Sequence, residues 1–167
     1  MKEAIVNTEI VNSLKAGGAW AYKIPDALTI GGGNRFTAEK PCDIVGFYKG
    51  KGFAIESKQI KKYAPIGFKM LRPSQVRNFE EMISKGNRAF VFVNVRVPRD
   101  PNRLLIFTYE SFRDMGALTT KDVFARCNRG DCLETSRIQT GDGRNFLGEP
   151  IPTYKTLFDL SKFFNEL

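Results

Sequence analysis

The sequence predicts an α/β fold, because segments with helical periodicity and segments with strand-like alternation follow one another along most of the chain. The predicted order is α-β-β-β-α-β-β, followed by a less regular tail. A chain of 167 residues with 42% hydrophobic residues is long enough for one compact core. We therefore predict a single domain over residues 1–167, with a core at about 2–116 and a C-terminal extension at about 117–167.

A helix, a strand and a hairpin are predicted in the first sixty residues. Apolar residues recur at helical spacing from Lys2 to Ala16, and the pair Gly17-Gly18 ends that pattern. Alternation follows at Trp20, Tyr22 and Ile24, as in a strand. Two apolar runs are then joined by Lys49-Gly50-Lys51-Gly52, which is a hairpin signal. The predicted bounds are 2–16 for the helix, 19–24 for the strand, and 43–48 and 53–58 for the hairpin.

A second helix and two more strands are predicted further along the chain. Pro73 suits the first turn of a helix, and Gly86 lies just beyond its end. The run "AFVFVNVRV" is β-branched and aromatic, which predicts a buried central strand. Residues 126–152 show no strong period, so no element is predicted there. The predicted bounds are 73–84 for the helix, 89–97 and 104–108 for the strands, 110–115 for a short helix and 156–167 for a terminal helix.

The charge and the absence of histidine restrict the function. The chain carries 26 Lys and Arg against 18 Asp and Glu, a net charge of +8, which favours a polyanionic partner such as nucleic acid. It contains no histidine, which excludes hydrolases and nucleases that depend on imidazole. Any hydrolytic chemistry must therefore use carboxylates, lysine and a hard metal ion.

The cysteines and the hydropathy indicate a reducing, aqueous compartment. Three cysteines, Cys42, Cys127 and Cys132, form no even disulfide framework and, without histidine, no ordinary zinc site, so we predict free thiols. No run approaches eighteen apolar residues, and the N-terminus does not resemble a signal peptide. We expect a soluble protein of the cytoplasm.

Three ionisable residues interrupt the two apolar runs of the hairpin: Asp43, Glu56 and Lys58. A hairpin that is symmetric about Gly50-Lys51 would place Asp43 opposite Lys58, with all three side chains on one face. Two carboxylates this close can share one Mg²⁺ ion, and the lysine can orient water or offset phosphate charge. The alternative is a structural salt bridge between Asp43 and Lys58.

The pattern Pro41-Cys42-Asp43, twelve intervening residues and Glu56-Ser57-Lys58 resembles the PD-(D/E)XK nuclease superfamily. The leading helix, "GAWAYKIPD", the helix with Gln75 and "AFVFVNV" are similar to Holliday junction resolvases of the RecU-like and archaeal-type group. This resemblance covers about residues 2–108. It implies a restriction-endonuclease-like core, in which helices flank a central mixed sheet, and a phage or bacterial enzyme of DNA recombination and repair.

The resemblance also implies the roles of individual residues. Asp43, Glu56 and the backbone carbonyl of Ser57 would bind Mg²⁺, for which Mn²⁺ can substitute, and Lys58 and Gln75 would assist catalysis. A glutamate of the first helix would be a further metal ligand; we favour Glu3 over Glu9, since Glu3 falls in the sector of Ile10 and Leu14. Water would attack the phosphate in line and leave a 5′-phosphate, and a homodimer would nick two strands of a four-way junction.

Basic residues near the motif are candidates for contacts with DNA phosphates. The stronger group follows Lys58 and consists of Lys61, Lys62, Lys69, Arg72 and Arg77, and the weaker group of Arg35, Lys49 and Lys51. The alternative interpretation is that these basic residues only form a solvated surface and do not contact DNA. Two other functions stay open: a nuclease of the same superfamily that acts on duplexes, flaps or ends, and a non-catalytic nucleic-acid-binding domain.

Overall fold

The computed structural model describes residues 3–25, 40–99, 102–130, 132–138, 147–149 and 157–167. The helices are α1 (Glu3–Ala16), α2 (Pro73–Ser84), α3 (Tyr109–Asp114), α4 (Thr120–Asn128) and α5 (Ser161–Glu166). The strands are β1 (Trp20–Lys23), β2 (Ile44–Tyr48), β3 (Lys51–Ile60), β4 (Arg88–Val95), β5 (Arg103–Thr108), β6 (Leu133–Ile138) and β7 (Leu157–Phe158). No described helix combines the length and the apolar character that crossing a membrane requires.

The strands form a mixed sheet in which spatial order follows chain order from β1 to β7. Only the pair β3–β4 is parallel among the described pairs, and α2 makes the crossover between these two strands. Strand β4 lies between β3 and β5, and its residues 89–95 are all buried. The chain thus has an α/β fold, and the predicted central strand is confirmed.

Each face of the sheet carries its own apolar layer. One layer packs β3, β4 and β5 against α2, α3 and α4, and includes Phe79, Val91 and Phe112. The other packs the opposite face against α1 and α5, and includes Ile10 and Phe163. The helix predicted at 2–16 packs in the second layer and the helix predicted at 73–84 in the first, because each buries its apolar stripe against the sheet.

Phe163 anchors the C-terminal helix in the second layer. Its ring centroid lies 5.8 Å from that of Phe53, 4.9 Å from that of Phe90 and 5.4 Å from that of Phe92. We expect Phe163→Ala to lower the free energy of unfolding by about 3–5 kcal/mol, because the cavity would be fully enclosed. Urea titration followed by circular dichroism measures the loss. The exposed neighbour Asn165, replaced by alanine, is the control, and an equal loss in both variants would contradict this packing role.

The β2–β3 hairpin differs in register from the prediction. Lys49 and Gly50 both have positive φ, 47° and 80°, which matches a two-residue turn of the primed type. Tyr48 therefore pairs with Lys51, and Ile44 pairs with Ile55. The prediction of a turn centred on Gly50-Lys51, with Asp43 opposite Lys58, is wrong. Because partners are displaced by two residues, an even number, every side chain keeps its predicted face.

The C-terminal region holds more regular structure than the sequence indicates. Helix α4 begins at Thr120, where the Thr119 hydroxyl accepts a hydrogen bond from the Asp122 amide, and β6 follows the turn after α4. The predicted terminal helix is wrong in its first part, since Leu157 and Phe158 form β7. Phe158 donates its backbone N–H to the Ser13 hydroxyl at 2.9 Å, which holds this segment against α1.

The prediction of free thiols is wrong for Cys127 and Cys132 and confirmed for Cys42. Cys127 in the last turn of α4 and Cys132 just before β6 form a disulfide, with their Cα atoms 4.5 Å apart. The turn after α4, in which Gly130 has a φ of 91°, brings the two residues together. Cys42 is free and buried.

Candidate active site

Asp43 and Glu56 are brought together by the end of the β2–β3 ladder. Asp43 directly precedes Ile44, Glu56 directly follows Ile55, and Ile44 pairs with Ile55. Both residues are almost fully buried, with exposed fractions of 4% and 2%. Burying two carboxylates side by side is unfavourable unless cations or hydrogen-bond donors compensate for it, which indicates a site rather than packing.

Donors occupy three of the four carboxylate oxygens. The backbone N–H of Ser57 donates to Asp43 Oδ2 at 2.9 Å, and Lys40 Nζ lies 2.6 Å from Asp43 Oδ1. Lys58 Nζ lies 2.8 Å from Glu56 Oε1, which also accepts from Gln75 Nε2. Glu56 Oε2 is buried and has no hydrogen-bond partner within the described part of the chain. The salt bridge of Lys58 is thus with Glu56, whereas the structural alternative placed it with Asp43.

Electrostatics in this cluster favour an added cation. Burial, and then the neighbouring Asp43 carboxylate, raise the pKa of Glu56 above its ordinary value, while Lys58 and Lys40 oppose the rise. The nearby Cys42 thiol has its pKa raised to about 12, mainly by burial and further by Glu56 and Asp43. Cys42 is therefore a neutral thiol at pH 7, and the negative charge available to a metal ion belongs to the two carboxylates.

Gln75 connects the site to the start of α2. Its Oε1 accepts from the backbone N–H of Arg72 at 2.9 Å and from Lys58 Nζ at 3.3 Å, while its Nε2 donates to Glu56. Pro73 occupies the first turn of α2, which fixes the direction in which this helix leaves the site. The prediction that Gln75 lies beside the motif is thus matched by direct contacts with Glu56 and Lys58.

The oxygen atoms that this site offers as ligands suit a hard divalent cation such as Mg²⁺. No group of three His, Cys, Asp or Glu side chains converges among the described residues, so the site offers two carboxylates. Mg²⁺ is commonly held by one or two carboxylates, with waters and substrate phosphate oxygens completing its shell. Glu56 Oε2, to which no described residue donates a hydrogen bond, is the oxygen that a cation would satisfy. Ser57 turns its backbone N–H toward Asp43, and its carbonyl faces the same side in a regular strand.

Comparison with solved structures gives a match of limited extent. The chain is similar to Hjc, a Holliday junction resolvase from the archaeal hyperthermophile Archaeoglobus fulgidus, with 22% sequence identity and a TM-score of 0.43. The match covers 66% of this chain and 83% of that chain. No family model matches the sequence, and no curated protein matches it.

The predicted phosphate contacts fall into two groups in the structure. Lys61, Lys62, Lys69, Arg72 and Arg77 are all exposed. They follow β3 or belong to the start of α2, the same elements that carry Lys58 and Gln75. Lys49 and Lys51 are exposed at the hairpin turn, and Lys58 stands seven positions after Lys51 in β3, or about 23 Å along the strand. The first group is therefore nearer along the chain to Lys58 and Gln75 than Lys49 and Lys51 are.

Two predicted residues lie outside what the structure describes. Arg35 belongs to the undescribed residues 26–39, and the side chain of Glu3 is not described, although Glu3 begins α1. Helix α1, with Ile10 and Leu14 buried, packs on the opposite face of the sheet from α2 and Gln75. The auxiliary role of Glu3 stays a prediction.

Two contacts of the Asp43 carboxylate were not predicted from the sequence. They are those with the Lys40 ammonium group and with the backbone N–H of Ser57. Lys40 stands three residues before Asp43, and the intervening bend returns its ammonium group to the Asp43 carboxylate. Nothing in the sequence predicts that bend except Pro41. The Ser57 contact could not be predicted, because a backbone donor carries no residue-type signal.

Proposed function

We propose that this chain is a metal-dependent endonuclease that acts on branched DNA, specifically a Holliday junction resolvase. The observation that carries the proposal is the pair of buried carboxylates, Asp43 and Glu56, with the Lys58 ammonium adjacent and one oxygen that no described residue contacts by a hydrogen bond. The net charge of +8 suits a nucleic-acid substrate. The choice of a four-way junction rests on the resemblance of the motif and its flanking segments.

The residues of the site have distinct roles in phosphodiester hydrolysis. Asp43, Glu56 and the Ser57 carbonyl would hold Mg²⁺ or Mn²⁺, which supplies charge neutralisation at the phosphate and a more acidic water. Lys58 orients the attacking water or stabilises charge that develops on the phosphate. Gln75 fixes Lys58 and Glu56 by hydrogen bonds to both.

The substrate contacts follow from the same arrangement. The five exposed basic residues that follow β3 or begin α2, Lys61, Lys62, Lys69, Arg72 and Arg77, bind backbone phosphates. Two symmetric nicks need two sites, and the motif occurs once in this chain, so the active form is a homodimer.

Cleavage of an end-labelled four-way junction, beside a linear duplex of matched sequence, tests the function. The wild type and Asp43→Asn are compared with magnesium and with EDTA. We expect paired nicks in the junction by the wild type with magnesium, and none with EDTA, with Asp43→Asn or on the duplex. Calcium in place of magnesium should preserve junction binding without cleavage.

The remaining outcomes assign other functions. Equal cutting of junction and duplex would make the chain a general nuclease of the same chemistry. Tight binding without cleavage of junction, flap or duplex by the wild type would contradict the nuclease proposal and favour a nucleic-acid-binding domain. In that case Asp43→Asn should leave the affinity for DNA undiminished, because the carboxylates would serve only the structure.

A further inference from the structure

The Lys40 side chain places a positive charge directly against one of the two carboxylates of the candidate active site. Its ammonium nitrogen lies 2.6 Å from Asp43 Oδ1. The exposed fractions of the two side chains are 17% and 6%, so solvent and salt screen this ion pair only weakly. A charge held this close to a candidate metal ligand must affect how that ligand binds a metal ion.

The two oxygens of Asp43 differ in how readily they can exchange their present contact for a metal ion. Oδ2 accepts the backbone N–H of Ser57 at 2.9 Å, and β3 fixes this donor in place. Oδ1 contacts the end of a lysine side chain, which is flexible and remains partly open to solvent. Oδ1 is therefore the oxygen that Asp43 can offer to a metal ion, and Lys40 has to give up its contact with this oxygen.

An ammonium group and a divalent cation compete beside Asp43 because both are positive. Like charges a few ångströms apart repel strongly in a partly buried site, where the effective dielectric constant is well below that of water. The charge of Lys40 also acts on the second carboxylate: burial and Asp43 raise the pKa of Glu56, and Lys58 and Lys40 lower it. Without metal, Lys40 thus offsets part of the negative charge that a metal ion would offset.

We propose that Lys40 is an internal counter-ion of Asp43, which gives up its contact when a divalent cation binds and thereby sets the metal affinity of the site. This inference rests on the proposed metal-dependent nuclease function and adds a positioning residue to it. The ion pair lets two neighbouring carboxylates be buried in the metal-free protein. The same ion pair lowers the affinity for the metal ion, because the free energy of breaking it is subtracted from the free energy of binding.

The affinity for Mn²⁺ in the absence of DNA tests the proposal, because this measurement needs no cleavage. Isothermal titration calorimetry compares the wild type with Lys40→Met and Lys58→Met, in which methionine keeps the length of the side chain and removes its charge. Lys58→Met is the matched control for charge, since Lys58 Nζ lies 2.8 Å from Glu56 Oε1 and no described residue donates to Oε2. We expect Lys40→Met to bind Mn²⁺ about tenfold more tightly than the wild type, and Lys58→Met to gain clearly less.

The stability of the metal-free protein gives a second readout. In urea titrations with EDTA, Lys40→Met should lower the free energy of unfolding, because the buried Asp43 carboxylate loses its cation. Magnesium should then stabilise this variant more than it stabilises the wild type. In an Asp43→Asn background, Lys40→Met should have a much smaller effect, as a double-mutant cycle on a direct ion pair requires. Lys85→Met, which changes an exposed lysine after α2, should alter neither the stability nor the Mn²⁺ affinity.

Two results would overturn the counter-ion role alone. Equal Mn²⁺ affinities of Lys40→Met and the wild type would show that metal binding does not displace Lys40. Equal gains in Lys40→Met and Lys58→Met would show a general effect of charge rather than displacement at Asp43. In both cases the metal site itself would stand, and metal-dependent cleavage of the four-way junction would be unaffected. Failure of the wild type and of both lysine variants to bind Mn²⁺ would instead contradict the metal site, and with it the nuclease proposal.

Discussion

Replacement of Glu56 by glutamine is expected to reduce magnesium-dependent cleavage of branched DNA by about 10³-fold, which corresponds to ~4 kcal/mol of transition-state stabilisation. Glutamine keeps the size of the side chain and can still accept from Lys58. It cannot supply the negative charge that Glu56 places at its buried Oε2. Single-turnover rates on an end-labelled junction, over a range of magnesium concentrations, measure the effect.

The same variant should not be less stable than the wild type when EDTA is present. Glu56 is buried beside Asp43, and both the burial and the like charge disfavour its ionised form. A neutral isostere removes this cost, so urea titration at pH 7 should give an equal or larger free energy of unfolding. Magnesium should raise the stability of the wild type but not of Glu56→Gln. A large loss of stability in the variant would contradict the assignment, since Glu56 would then be a structural residue.

Replacement of Lys58 by methionine is expected to lower the single-turnover rate by about 10²–10³-fold, because the site loses its donor to the water and phosphate. Methionine preserves the length and the apolar part of the side chain. The Lys58 ammonium contacts Glu56 Oε1 and Gln75 Oε1, so it is already positioned before substrate binds. Rates at saturating junction, together with the affinity for the junction in calcium, separate catalysis from binding.

Lys62→Met provides the matched control for Lys58→Met. Lys62 is exposed and lies outside the carboxylate cluster, and its proposed contact is with backbone phosphate alone. We expect it to weaken junction binding and to reduce its salt dependence, with the saturated rate nearly unchanged. If the two lysine variants lost affinity and rate in the same proportions, Lys58 would be one more phosphate contact.

Much of the fold could be predicted from periodicity and turn residues. Helix α2 was predicted with the bounds that it has in the structure, because Pro73 marks the start of an amphipathic pattern and Gly86 lies just beyond its end. Strand β4 was predicted from its β-branched and aromatic run, and it is buried between two neighbours. Helix α4 and strand β6 were missed, because their stability depends on contacts with β5 and on the turn after α4 more than on local pattern. The disulfide between Cys127 and Cys132 was missed because an odd number of cysteines forms no even framework, which favoured free thiols.

The sequence predicted which residues lie together in the candidate site, but not which of them contact one another. Asp43, Glu56 and Lys58 were placed on one face by the period of the strands, and an error of two residues in register left that conclusion intact. The partners of each oxygen depended on that register. The predicted ion pair of Lys58 with Asp43 is replaced by one with Glu56, and Lys40 takes the place beside Asp43.

The sequence by itself determined which chemistry is available: no histidine, two carboxylates and a lysine within apolar strands, and an excess of positive charge. Side-chain alternation, together with the hairpin turn that the glycines indicate, also predicted their common face. Only the tertiary structure decided that Gln75 joins Glu56 and Lys58, and that one oxygen of Glu56 has no hydrogen-bond partner within the described part of the chain. These facts depend on how strands and helices separated in sequence pack together, and packing is set by the whole core rather than by any one segment.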